Sequence, residues 1–286
     1  MARSTSTAKI VNSLVHGLGG DFDQLEAVSV SVFVDRMCPL YLVQTLRQAL
    51  VPACTNASVN VFDIDTASMR TSCLETSDVV LFLSGGSRRV GEKCAEFASH
   101  KIPTAIIVES AVEAPQIQVP TEVAAYITIL AGTSSEALLE RLAAWLFCSA
   151  TDKGVSFAAS FPFCRETCIA SLIAQCAATN AAIGAVSLLP GSDMALMTAS
   201  QIRLALDIAA SYGLTSRIER IPELAGVIGA GLVYRSAARS MASAIPVFGW
   251  FIKASLGYFG TKATARAIKE RIELLKRSEG QPQVEG

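Results

Sequence analysis

At 286 residues the chain is long enough for two domains with separate cores, and its 51% hydrophobic content with a mean hydropathy of +0.42 is high for a soluble protein. The net charge of −1 is unevenly spread: residues 1–150 hold 10 basic and 15 acidic side chains, net −5, and residues 151–286 hold 14 and 10, net +4. A basic, apolar second half suits an anionic lipid surface or an acidic partner, and it lacks the aromatic-basic interleaving that would point to nucleic acid.

The opening "MARSTSTAKIVNSLVHGLGG" has no long apolar core of the secretory kind, and residues 1–24 read as a flexible segment. The eight cysteines include no C-x-x-C pair, and only His16 and His100 could complete a zinc site. Cys164, Cys168 and Cys176 share one helical stretch, where cysteine serves as a small hydrophobe. Reduced thiols and the missing signal favour the cytosolic side, in the cytoplasm or at the cytoplasmic face of a membrane.

Five apolar, β-branched runs follow: "VSVSVFVD" (28–35), "SVNVFDID" (58–65), "DVVLFLS" (78–84), "PTAIIVE" (103–109) and "AAYITIL" (124–130). Continuous runs of this kind suit strands buried on both faces. Amphipathic stretches at 40–51, 66–76, 88–100 and 134–148 alternate with them, while the Pro-rich 110–123 reads as loop. The expectation for 25–150 is therefore an α/β domain with a five-stranded, mostly parallel, doubly wound sheet.

Ligands in such sheets sit beyond the C-terminal strand ends. Those ends carry Asp35, then Asp63 and Asp65, then "SGGSRR" (84–89), then Glu109. Asp35, Asp63 and Asp65 are candidates to hold a divalent cation, or else solvated loop residues and helix caps. The loop around Ser87 either cradles an anion or makes a turn. The bend "DRMCP" (35–39), where a phosphate loop would lie, has no glycine and no lysine.

"FDIDTAS" (62–68) resembles the Asp-Thr-x-Gly segment of Era-type GTPases, with Ser68 in place of the glycine. "DVVLFLS" and "KIPTAIIVES" are similar to the two strands that follow in that family, and "ITILAGTSSEALLERLAAWL" to its last strand, loop and helix. The order of elements matches, minus one strand and one helix. The residues of a G-x-x-x-x-G-K-[ST] loop, which wrap and neutralise phosphates, are missing, and Glu109-Ser110-Ala111-Val112 replaces the guanine-reading Asn-Lys-x-Asp. The resemblance implies a degenerate, pseudo-GTPase domain with no cofactor. Asp65, Thr66 and Ser87 are the residual positions at which a nucleotide would bind under the alternative reading.

From about 151 the pattern changes to Ala-rich helices, and 151–277 reads as an α-helical hairpin domain. Residues 167–192 carry no charge over 26 positions, consistent with either a membrane-inserted or a buried core helix. In 188–213, Pro190-Gly191 makes a turn, Ser192 an N-cap, Asp193 an acidic first turn and Gly213 a stop. A second helix–break–helix copy spans 243–275. In its last helix Ala265, Ile268, Ile272 and Leu275 form a stripe, with basic residues on the other faces: a surface for docking on a core or partner, or an interfacial helix. Asp193, Gln201, Arg203, Asp207, Arg235 and Arg239 either line a cavity or make satisfied structural pairs. Residues 278–286 read as a disordered tail.

The stretches 181–213 and 227–254, the latter running into Thr261, resemble the YcjF-like domain of unknown function, which follows Era-type GTPase domains in bacteria. Pro190, Asp193, Gln201, Tyr212, Gly213, Pro246 and Gly249 carry the match. The family's members are often described as membrane proteins without an assigned activity. The combined expectation is a non-catalytic, membrane-associated regulatory or scaffolding protein, meeting anionic lipid or a protein partner, or a second copy of itself, through its helical domain. The alternatives are a GTPase-related nucleotide-binding protein and a soluble helical adaptor.

Overall fold

The computed structural model describes residues 25–65, 76–186, 192–214 and 249–280. The chain divides into two compact units, Leu25–Cys168 and a helical unit that begins at Ile169. The first is the expected α/β domain. Its strands are β1 (Val28–Val34), β2 (Ala57–Asp63), β3 (Val79–Leu83), β4 (Thr104–Val108) and β5 (Ile127–Ala131), all parallel, in the order β2-β1-β3-β4-β5. β3 and β4 are buried at every position, which is why their sequences read as unbroken apolar runs.

Helices α1 (Leu40–Ala49), α2 (Arg88–Ser99), the short α3 (Thr121–Ala124) and α4 (Ser135–Ser149) connect or follow the strands. The loop expected at 110–123 thus ends in a helical turn and also contains a 3-10 turn at Ala111–Glu113. The helix expected at 66–76 lies almost wholly outside the described residues. From β1 the chain crosses to β2 on one side, and from β3 to β4 on the other. Right-handed crossovers in opposite directions place α1 and α2 on opposite faces of the sheet. On the α2 face, Phe62, Phe33 and Phe82 stand in register on three neighbouring strands. Their rings stack at centroid distances of 5.1 and 5.0 Å, and Phe97 of α2 closes the row 5.2 Å from Phe33.

The core of this unit extends past residue 150. Helix α5 (Gly154–Ser160) and a 3-10 turn at Pro162–Cys164 bring Phe157 and Phe161 into full burial. The Ala53 amide donates to the Ser160 carbonyl at 2.8 Å, and Lys153 Nζ meets Asp78 Oδ1 at 2.7 Å. Residues 151–168, read from sequence with the helical half, thus pack with the sheet. The signal that misleads is compositional, because an Ala/Ser/Phe-rich helix looks alike on a sheet and in a bundle.

The helical unit contains most of α6 (Arg165–Val186), then α7 (Ser192–Ser211) and α8 (Gly249–Gly280). Ile169 of α6, Ile202, Ile208 and Tyr212 from α7 and its end, and Ala265, Ile268 and Ile272 of α8 form one buried cluster. The stripe expected in the last helix therefore faces a core at those three positions. α7 is described from Ser192, which is itself helical, and it stops as its punctuation requires. Gly213 has φ +78°, its amide donates to the Ala210 carbonyl, and the Leu214 amide reaches back to Ala209. α8 opens at Gly249 and continues to Gly280, so residues 278–280 of the expected tail are helical. Among the described residues, no helix is long and apolar enough to cross a membrane.

Candidate functional site

In the order 2-1-3-4-5, strands β1 and β3 are neighbours whose connections diverge, so the crevice beyond their C-terminal ends is where such sheets take ligands. Here the crevice is closed by the chain itself. Asp35, the first residue after β1, is 5% exposed, and its carboxylate faces the loop after β3. Its Oδ2 accepts from the amides of Gly85 at 3.0 Å and Ser87 at 3.3 Å, and its Oδ1 from the Met37 amide at 3.2 Å. Those are the donors a bound anion would need. An internal carboxylate occupies them instead.

Backbone packing completes the closure. A Cβ on Gly85 would lie 2.2 Å from the Met37 carbonyl carbon and oxygen, so the bend 35–39 rests directly on the β3–α2 loop. Gly85 serves close approach of two backbones, and Gly86, at φ +93°, turns the chain into α2. Ser87 caps that helix, accepting from the Arg89 amide at 3.3 Å. The "SGGS" segment is thus a turn and cap packed on a neighbouring loop.

The acidic end of β2 is neutralised by arginine. Arg36 Nε lies 3.5 Å from Asp63 Oδ2 and 3.2 Å from Asp65 Oδ2, and Arg89 pairs with the other oxygen of Asp65. Asp63 Oδ1 also accepts the Asp65 amide at 2.8 Å. A cation entering there would have to displace two guanidinium groups. Asp35 is directed to amides and stands apart from this cluster, so the structure does not join the three aspartates into one site. Among the described residues, no group of three or more His, Cys, Asp or Glu is placed to hold a metal ion. Thr66 lies outside the described residues.

Several nucleophiles of this unit are muted. Burial, and then the Asp35 charge, push the Cys38 thiol up to about 11, so it stays protonated at neutral pH. Burial pushes Cys94 up to about 12 and raises Cys164 further still. Tyr41 is raised by burial and then by Glu109, Glu113 and Cys38, and its hydroxyl donates to the Gly132 carbonyl at 2.7 Å.

In the helical unit, Gln201 is fully buried and belongs to a polar seam. Asn180 Nδ2 donates to Thr261 Oγ1 at 2.9 Å, Ser200 Oγ donates to Asn180 Oδ1 at 2.6 Å, and Gln201 Nε2 reaches the same Thr261 hydroxyl at 3.4 Å. Three helices meet there. The Tyr212 hydroxyl donates to Glu273 Oε1 at 2.8 Å, and Lys269 approaches that oxygen at 3.8 Å. Of the other positions singled out, Asp193 lies in the first turn of α7, and Gly249 opens α8. Pro190 and Pro246 lie outside the described residues, as do Arg235 and Arg239. Arg203 and Asp207 form a pair one turn apart on α7, at 3.8 Å. Sequence reasoning missed the partners of Asn180. Its signal was an amide interrupting an apolar helix.

Comparison of the chain with family models, with curated proteins and with solved structures finds no match.

Proposed function

We propose that the chain is a non-catalytic scaffolding or regulatory protein, a pseudo-GTPase-like α/β domain joined to a YcjF-like helical domain. The observation that carries this reading is Asp35. Its carboxylate takes the Gly85, Ser87 and Met37 amides at the switch point, the donors a phosphate would need there. Arg36 and Arg89 pair with Asp63 and Asp65, the carboxylates a Mg²⁺ there would need.

The helical domain supplies attachment. The +4 balance of residues 151–286 draws it to anionic surfaces. The outward side of α8 adds Phe259, 67% exposed, Leu274 and the exposed Arg266, the composition of a helix lying on an interface rather than crossing it. The buried seam of α6, α7 and α8 favours a second reading, a helical adaptor that meets a protein partner.

Two measurements test the proposal. Calorimetry with GTP, GDP and ATP in Mg²⁺ should give no heat of binding; micromolar affinity for any of them would sink the pseudo-GTPase reading. Co-sedimentation with anionic vesicles should show binding at low salt that is released at high salt. Absence of binding at low salt would leave the adaptor.

A further inference from the structure

The two edges of the sheet are built differently. At the β5 edge, the residues whose backbone groups face outward are Ile127, Ile129 and Ala131, since the Thr104 amide bonds Tyr126 and the Gly132 amide bonds Val108. The outward carbonyl of Ala131 is taken by the Arg141 guanidinium. At the β2 edge, the Val28 amide bonds the Asn56 carbonyl and the Ile64 amide bonds the Val34 carbonyl. In a parallel ladder that phase turns the N–H and C=O of Ala57, Val59, Val61 and Asp63 away from β1.

Among the described residues, this edge lacks three of the usual protections. Its sequence, ASVNVFD, contains no proline and no lysine, and its ladder to β1 runs without a bulge over seven residues. Val61 is 65% exposed, and Ser58 and Asn60 are exposed on the opposite face.

We propose that β2 pairs antiparallel with β2 of a second copy of this chain, extending the sheet across a two-fold axis at Asn60. The argument for a second copy is that the edge is self-complementary. With Asn60 opposite its own counterpart, Val59 faces Val61 and Ala57 faces Asp63 of the other copy. Val59 and Val61 are outward-facing, so their two pairs exchange about four backbone hydrogen bonds. Side chains directly opposite share a face, so each exposed Val61 is covered by a Val59, and each Asp63 meets an alanine instead of a like charge. The interface is isologous and closes as a dimer. One strand pair buries less than the ~1,600 Å² of a standard interface, so the dimer dissociates on dilution.

Sedimentation velocity of the full chain over a concentration series should show a monomer–dimer shift. Val61→Lys, at a position already open to solvent, should weaken association at least about tenfold. Val59→Pro removes only an outward N–H and should do the same while leaving the ladder to β1 intact. The register is read by cysteine. In a Cys148→Ser background, Asn60→Cys places two thiols in a non-hydrogen-bonded pair with Cα atoms about 4.5 Å apart, inside the disulfide range. Oxidised glutathione should cross-link it, whereas Ser58→Cys, opposite Phe62, should not form a dimer band. A chain that stays monomeric at every concentration overturns the proposal and leaves the edge to an extended peptide of another protein. So does a dimer indifferent to Val61→Lys, or one in which Asn60→Cys cross-links no faster than Ser58→Cys.

Discussion

In the α/β unit the layer between the sheet and α2 is filled by Phe62, Phe33, Phe82, Phe97, Val90 and Ile106, and the buried hydroxyls of Ser31 and Thr104 are paired with Ser77 and with the Ile102 carbonyl. The middle of the helical unit instead buries Asn180, Gln201 and Thr261 side by side. A sheet is registered by its backbone ladder, so its interior can be largely apolar. Three Ala-rich helices have no such ladder between them, and an apolar seam alone lets them slide or rotate. Directional contacts among Asn180, Ser200 and Thr261 fix one register, at the cost of burying polar groups. The difference shows where register information resides in each unit: main chain in one, side chains in the other.

The largest expected effect concerns the limit of the first unit. A fragment ending at residue 150 lacks Phe157 and Phe161, and loss of each buried phenylalanine costs about 3–5 kcal/mol. Together these losses rival the ~5–15 kcal/mol that holds a domain folded. Residues 25–150 should be molten or aggregated, while residues 25–168 should give a dispersed amide spectrum. A well-folded 25–150 fragment would show that α5 is an accessory to the sheet.

Most of the sheet was legible in the sequence, because buried parallel strands leave long β-branched runs and the connecting helices leave amphipathic ones. The five strands fall within a few residues of their expected places. The site was legible in position, since Asp35, Asp63, Asp65 and Ser87 stand at strand ends, but its chemistry was not. That Arg36 and Arg89 reach the aspartates, or that Asp35 turns toward the Gly85 and Ser87 amides, depends on which loops the topology brings together, and spacing along the chain does not encode it. The limit at Cys168 was hidden for the same reason. Nothing in "VSFAASFPFC" says whether its phenylalanines face a sheet or another helix.

Within the apolar layer, Phe33→Ala removes the central ring of the stacked row. It should cost about 3–5 kcal/mol, read as a fall in the denaturant midpoint of the 25–168 fragment at unchanged slope. A cost below about 1 kcal/mol would mean that the row repacks and that the ladder alone specifies this unit.

The polar seam should respond in a different pattern. Asn180→Ala removes the bonds from Ser200 to Asn180 and from Asn180 to Thr261, so it should cost about 1–3 kcal/mol. Replacing the seam with shape-matched apolar groups, Asn180→Leu with Thr261→Val, should recover much of that stability. The doubly substituted chain should nevertheless show broadened amide resonances from the helical unit, because the register is then set by an apolar seam. Sharp resonances from that variant would mean that apolar packing alone holds the three helices in register.

The smallest effect concerns a charged side chain of the same unit. Asp207 on α7 is largely buried, which raises its carboxyl above the ordinary value, and Arg203, at 3.8 Å and mostly exposed, lowers it only in part. A raised carboxyl means the folded chain holds its proton at a pH where the unfolded chain has released it. Between the two values the folded state binds more protons, so stability falls as pH rises through that window, and the deficit persists at neutral pH. Asp207→Asn removes the titration while keeping the shape. At neutral pH it should therefore be neutral or stabilising by less than about 1 kcal/mol. The difference between variant and parent should shrink on acidification into the ordinary carboxylate range. Thermal unfolding of the full chain at pH 7 and at pH 4 checks the sign. A variant that is destabilised at pH 7 and gains on the parent at pH 4 would mean that the Arg203 pair outweighs desolvation, and the helical unit would then hold a working ion pair beside its polar seam.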